Sequence, residues 1–301
     1  MKRKSLNVQK LKNTFLKDNK ILNLYSKLKK VLSKNKDSKS FVVAVSGGPD
    51  SMALAGLSRI LMGEKKHKAF FVLVDHGIRK NSTKEAKQVK KLLQKNDIKL
   101  EILKNKRRIE KNIQKNAREA RYELLSKFCK KNRTKYLLTA HHQDDQIETF
   151  FIRLSRGSGV EGLSSMSEKT KIQYGINLLR PFLDLSKKEL SYIAKKMFGK
   201  TFRDPSNNNE KFLRTNIREL TKILKNKGIN TDQIYRSIEN LSSTRKAINF
   251  YVKQSLKKFV KFKKKETILD FNMFQKEPAD VKFKIINTIV KNRASSYYPP
   301  R

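Results

Sequence analysis

The chain has 301 residues and carries 71 lysines and arginines against 27 acidic residues, a formal charge of +44. That length supports two domains and a sizeable core, and the basic excess points to a polyanionic partner, most directly a nucleic acid. The single cysteine, Cys129, excludes an intramolecular disulfide and any zinc or iron–sulfur site built from several thiolates, and no stretch has the length of a membrane span. A cytoplasmic protein with no membrane partner and no Fe–S cluster is expected. Coding bias is the competing explanation of the charge, because lysine greatly outnumbers arginine.

Residues 1–38 read as a basic N-terminal extension without the apolar run of a signal peptide. Ile21, Leu24, Leu28 and Val31 recur at helical spacing and predict an amphipathic helix packed on the domain that follows. Val42, Val43 and Val45 read as a buried strand that stops at Ser46-Gly47-Gly48-Pro49-Asp50-Ser51. Met52, Ala53, Leu54, Ala55 and Leu57 then restart as helix. Gly47 and Gly48 are free to take positive φ, and Pro49 suits a first helical turn. Ser46 and Ser51 place hydroxyls beside the positive end of the helix, so the hexapeptide reads as an anion site. A tight turn that binds nothing would explain the glycine pair alone. No Gly-Lys-Ser/Thr follows, which separates the loop from the P-loop NTPase pattern.

"AFFVLV" at 69–74 is a second strand, ending at Asp75-His76-Gly77. Helix is expected over 83–95, strand over 98–103, helix over 113–132, strand over 135–140 and helix over 143–155. This alternation predicts an α/β fold, a Rossmann-like parallel sheet with helices on both faces, as a domain at 39–228. Ligands of such sheets bind outside the carboxyl ends of the strands, where Ser46, Asp75 and His141 stand. A glycine-rich loop, "RGSGVEGL", follows at 156–163, and a short helix at 186–197 lies between Pro181 and Pro205. From 211 onward amphipathic helix dominates, with Leu213, Ile217, Leu220 and Leu224 in one stripe and Ile234, Ile238 and Leu241 in another. A smaller, mainly helical domain is expected at 229–301.

"AHHQDDQIET" at 140–149 concentrates the chemistry. His141 and Asp145 are four apart, and Asp145 and Glu148 three apart, so one helix face would align them. Asp144 and Asp145 would also complement the helix dipole. A zinc site from histidine and carboxylates is one reading; Mg2+ held by an aspartate together with phosphates is favoured. "NAREARY" at 116–122 puts Arg118 and Arg121 on the long helix, and guanidinium suits bidentate phosphate contact. "RDPSN" at 203–207 supplies Arg203 and Asp204, and "RTNIR" sets Arg214 and Arg218 one turn apart. A turn and a solvated helix face are the alternative for this last pair of motifs.

The hexapeptide resembles the pyrophosphate loop of the N-type ATP pyrophosphatases, which split ATP between its α- and β-phosphates. With "DHGIR" at 75–79, "AREARY" at 117–122, "AHHQDDQIET", "RGSGVEGL", "RPF" at 180–182, "DPSN" at 204–207 and "RTNIR", the order resembles the tRNA(Ile)-lysidine synthetases over about 40–220. The resemblance implies ATP and Mg2+ as cofactors, and free L-lysine and a CAU-anticodon tRNA(Ile) as partners. It implies that the wobble cytidine is adenylated and then joined to lysine, releasing AMP and pyrophosphate. Ser46, Gly47, Gly48, Pro49, Asp50, Ser51, Asp75 and His76 would bind ATP, with Asp50 also organising the metal. Arg118 and Arg121 would meet the α-phosphate, and His141, Asp145 or Glu148 would hold or deprotonate the lysine amine, with no order among the three. Asp144, Asp145, Glu148, Arg203, Asp204, Arg214 and Arg218 would contact lysine or tRNA, and 229–301 would contact the tRNA body. Many members of that family continue past the point matching "YYPPR", so the second domain is either a natural short form or lacks its tail in this sequence; a homodimer is left open. A tRNA 2-thiolating enzyme would need paired cysteines, and Cys129 stands alone. An inactive RNA-binding protein would have no use for an intact hexapeptide and acidic cluster.

Overall fold

The computed structural model describes residues 14–35, 38–64, 67–78, 81–107, 111–202 and 213–293. Helix α1 (Asn19–Ser33) starts where the Asp18 carboxylate accepts from the amides of Lys20 and Ile21 at 3.0 and 3.4 Å. Its buried face is the expected one, Ile21, Leu24, Leu28 and Val31. Strand β1 (Ser40–Ala44) leads through the Ser46–Ser51 loop into α2 (Pro49–Met62). There follow β2 (Lys68–Asp75), α3 (Ser82–Lys95), β3 (Leu100–Lys104), α4 (Ile113–Lys131), β4 (Tyr136–Leu138) and α5 (Gln143–Leu154).

The strands form a six-stranded sheet in the order β3-β2-β1-β4-β6-β5, with β5 at Lys169–Lys171 and β6 at Asn177–Leu179. All neighbours are parallel except β5, which runs antiparallel to β6. Strand side chains alternate between faces, and here each face is covered. Phe41 and Val43 pack with α1, α2 and Leu138, whereas Val42 packs with Leu137, Leu178 and the α4 residues Leu125, Phe128 and Cys129. Chain order reverses between β1 and β4, so the crevice for a ligand opens beyond the carboxyl ends of those two strands.

Helix α6 (Val160–Leu163) is a single turn inside the expected glycine-rich loop. Helix α7 (Lys187–Phe198) opens on a reciprocal capping box between Ser186 and Glu189. It packs on α2 so closely that a Cβ on Gly56 would lie 2.6 Å from the Met197 sulfur. Then come α8 (Leu213–Asn226), α9 (Thr231–Phe259), β7 (Val260–Phe262), β8 (Thr267–Leu269), α10 (Phe271–Phe274) and α11 (Ala279–Arg293). The β7–β8 hairpin interrupts a region expected to be helical. The Arg293 guanidinium pins its turn, donating to the Lys263 and Lys264 carbonyls and the Thr267 hydroxyl at 2.8–3.1 Å.

The chain divides into two compact units: residues up to Glu148 with Met166–Lys227, and Thr149–Ser165 with the residues from Gly228 onward. The expected domain at 39–228 is corrected in two places. Helix α1 belongs to the core of the first unit, and Thr149–Ser165 packs with the second. Within that second unit, Arg153 donates to the Gly162 and Ser165 carbonyls at 2.6 and 3.0 Å, closing the end of α6. The α8 stripe is also corrected: Ile217 is buried, but Leu213 and Leu220 are 45% and 42% exposed. No described helix is long and apolar enough to cross a membrane.

Candidate active site

The loop after β1 is closed by its own side chains. Ser51 Oγ donates to the Gly48 carbonyl at 3.0 Å and accepts from the Ser46 amide at 3.0 Å, and the two serine hydroxyls lie 3.1 Å apart. Both hydroxyls therefore shape the turn. Gly47 takes φ +86°, and a Cβ there would sit 2.7 Å from Val89 Cγ2, so the position admits only glycine. Gly48 does not use its freedom to take positive φ; it is extended at φ −66°, ψ 158°, and caps α2 with Pro49 in the first turn. A Cβ on Gly48 would meet only the Ser46 hydroxyl, at 3.7 Å. That side of the turn is open, beside the unsatisfied amides of a helix N-terminus.

Asp50 leads from the loop to the other half of the site. Its Oδ1 is buried with no hydrogen-bond partner, and its Oδ2 lies 3.6 Å from His142 Nε2. The same imidazole nitrogen is 3.6 Å from Asp145 Oδ2. Burial opposes a charge on His142, but Asp50, Asp145 and Asp144 outweigh it and raise the ring above its ordinary value. Asp145 also accepts the backbone N–H of His142 at 3.0 Å, which fixes the start of α5 at Gln143. His141 is thereby left outside the helix. The expected shared helix face of His141 with Asp145 does not form; it is His142, unassigned from sequence and just ahead of α5, whose ring lies beside Asp145. Asp144 is exposed and acts on the cluster through its charge.

His141 instead feels the charge of several arginines. Its Nδ1 is 2.8 Å from the Thr139 hydroxyl at the end of β4. Burial, then the charges of Arg180, Arg118, Arg121 and Arg214, hold the ring well below its ordinary pKa, so it is neutral at pH 7. Arg118 and Arg121 flank one ring, their guanidinium carbons 5.1 and 5.7 Å from the centre of Tyr122. Burial lowers Arg121, and the like charges of Arg118 and Arg214 push the same way. Clustered guanidiniums beside a neutral histidine have the chemistry to hold an anion. Arg180, first residue of the "RPF" segment, is buried, with Nη1 donating to the Ser167 carbonyl and the Thr170 hydroxyl at 2.7 and 2.9 Å.

Glu148 is only 4% exposed, one turn along α5 from Asp145. Arg218 grips it through Nε at 2.5 Å and Nη2 at 3.4 Å, with Arg214 3.9 Å away. Burial raises the carboxyl against the pull of Arg218. Asp75, at the end of β2, accepts from the Gly77 amide at 3.1 Å and from the Thr83 hydroxyl at 2.6 Å. Burial opposes that carboxylate, yet these donors hold it below its ordinary value, and its geometry is that of a turn organiser. His76 beside it is half-buried, lowered by burial and by Arg121. Arg203, Asp204 and Arg79 lie outside the described residues. Among the described residues no group of three or more His, Cys, Asp and Glu is placed to hold a metal, which disfavours the zinc reading. The orphaned Asp50 oxygen fits one carboxylate ligand of a Mg2+ whose other ligands come from phosphates.

Known proteins resemble this chain. Residues 21–225 match the family model of the PP-loop domain. The chain is 38% identical over 265 residues to the tRNA(Ile)-lysidine synthase of Wolbachia pipientis wMel, covering 86% of this chain and 61% of that protein. It is 39% identical over 204 residues to that of Rhodopseudomonas palustris, covering 67% and 59%. It spans less than two thirds of the length of these relatives. Among solved structures, the U34-tRNA thiolase NcsA of Methanococcus maripaludis, with its [4Fe-4S] cluster, shares the fold at a TM-score of 0.60 and 19% identity. That match covers 75% of this chain and 81% of the thiolase. With the family match over the whole sheet and its loop, the chain belongs to the PP-loop domain family.

Proposed function

We propose that the chain joins free L-lysine to C2 of the wobble cytidine of a CAU-anticodon tRNA(Ile), using ATP and releasing AMP and pyrophosphate. One observation carries the reading. The dipeptide His141-His142 joins a phosphate-type loop, through Asp50, to a guanidinium cluster that faces a neutral imidazole. In the first step cytosine O2 attacks the α-phosphate and the bond to the departing pyrophosphate breaks. Arg118 and Arg121 stabilise charge on the phosphorus, and the open side of the Gly47–Gly48 turn takes the pyrophosphate. Asp50 would hold a Mg2+, which when bound neutralises charge on the phosphates.

In the second step the lysine ε-amine attacks C2, and O2 leaves with AMP. The amine has a free pKa of about 10.4 and must shed a proton first. Asp145 holds the ammonium; neutral His141, its Nδ1 tied to Thr139, offers its remaining nitrogen as the base. Glu148 is taken up by Arg218 and orders the floor of the site. The site lacks the paired thiols that sulfur transfer needs, since Cys129 is alone and buried. AMP release and lysine incorporation should both occur with a CAU tRNA and both fail with UAU. Uridine presents an O4 acceptor where cytidine has its N4 donor, and its O2 is less nucleophilic. Comparable turnover on both tRNAs would overturn the reading.

A further inference from the structure

One ring in this site touches both halves of the machinery. His142 is 95% buried, and its Nε2 faces Asp50 Oδ2 and Asp145 Oδ2 at the same distance, 3.6 Å. Its Nδ1 is buried without a hydrogen-bond partner, so no second contact competes for the ring's orientation. Two carboxylates on separate elements, α2 and α5, would otherwise repel across this gap. Asp145 is held twice by one residue, by the His142 ring and by its backbone amide at 3.0 Å. Asp50 has no such second restraint, and its other oxygen is the orphaned one.

We propose that His142 is a positioning residue for both steps of the proposed reaction: its ring N–H aims Asp50 at the phosphates and Asp145 at the incoming amine. The two carboxylates serve different substrates and are joined through a single side chain. Contacts of 3.6 Å are longer than hydrogen bonds, and such contacts commonly tighten when substrates fill a site. A displacement of either carboxylate by about 1 Å is enough to cost about a hundredfold in rate. The inference rests on the proposed reaction for its second half only; the Asp50 half concerns nucleotide binding alone.

The test compares wild type, His142→Leu and His142→Gln in the full chain, with melting temperature recorded for each. Leucine fills the space without an N–H, whereas glutamine returns an amide N–H close to the position of Nε2. Calorimetry with Mg·ATP and no RNA reads the Asp50 arm; lysine KM and kcat at saturating ATP and CAU tRNA read the Asp145 arm. In His142→Leu, Mg·ATP affinity should fall about tenfold and kcat/KM for lysine about a hundredfold, with His142→Gln recovering most of both. Equal losses in the two variants, both melting like wild type, would overturn the proposal, as would a His142→Leu protein within about twofold of wild type in both arms. Should the leucine variant not fold, a glutamine variant that folds and loses as much as about a hundredfold overturns it, and one near wild type supports it. A wild-type protein that binds Mg·ATP but releases no AMP with CAU tRNA defeats the proposed reaction, and the Mg·ATP arm still decides the role of His142.

Discussion

Cys129 closes the buried face of α4, packed among Val42, Leu125, Phe128 and Leu137. Burial pushes its thiol up to about 12. The thiolate is the reactive form, so iodoacetamide at pH 8 should leave native protein unlabelled and label it fully in urea. Labelling of native protein at the unfolded rate would contradict the packing. The sign for stability follows from the raised value. An unfolded thiol ionises near about 8.5, so the contribution of the protonated thiol is intact below that pH and drains away as pH rises toward about 12. Cys129→Ala should abolish this alkaline loss without touching turnover.

Among the elements, α7 shows how much one polar side chain can set. Ser186 Oγ accepts from the Glu189 amide at 3.4 Å while Glu189 Oε2 accepts from the Ser186 amide at 2.8 Å. Ser186→Ala should lower unfolding free energy by about 1 kcal/mol, read as a lower urea midpoint at unchanged slope. Elements of this kind are legible in sequence because the signals are local. The strands with β-branched runs, and the helices between them, fall within a few residues of expectation, and the Ser46–Ser51 turn announces itself by composition. Strand β5 does not: Lys169-Thr170-Lys171 has no apolar side chain and exists only because β6 offers it an edge. The β7–β8 hairpin depends on Arg293, thirty residues from Lys263 in sequence, which no local pattern contains. The pairings within the candidate site are less legible than its place along the chain. Histidine spacing alone does not say where α5 begins; Asp145 decides that by accepting the His142 amide, and so exchanges the two histidines.

At the scale of the whole molecule the +44 charge is the dominant physical fact. If lysines on its surface neutralise phosphates, each contact releases condensed counterions, and affinity for tRNA should fall by about a thousandfold or more between 50 and 200 mM salt. A filter-binding series over that range measures the slope. A nearly flat log–log plot would make the charge a matter of coding bias instead. The two units bear differently on this: the sheet unit carries the Ser46–Ser51 loop and the Arg118–Arg121 pair, and the second carries further lysines on α9, β7 and the hairpin turn, with Phe250 and Phe262 exposed among them.

The guanidinium cluster around Tyr122 has a thermodynamic corollary. Without an anion, Arg121 is a half-buried cation beside Arg118 and Arg214, and the protein folds in spite of it. Burial and like charge both oppose that cation, and a bound phosphate would relieve them. Removing the charge should therefore make a better-folded, dead protein: Arg121→Met is expected to melt higher than wild type while losing AMP formation, and to lose the thermal shift that pyrophosphate gives the wild type. Differential scanning calorimetry with and without pyrophosphate measures both, and a variant that melts lower with its pyrophosphate shift intact would mean that Arg121 serves the fold.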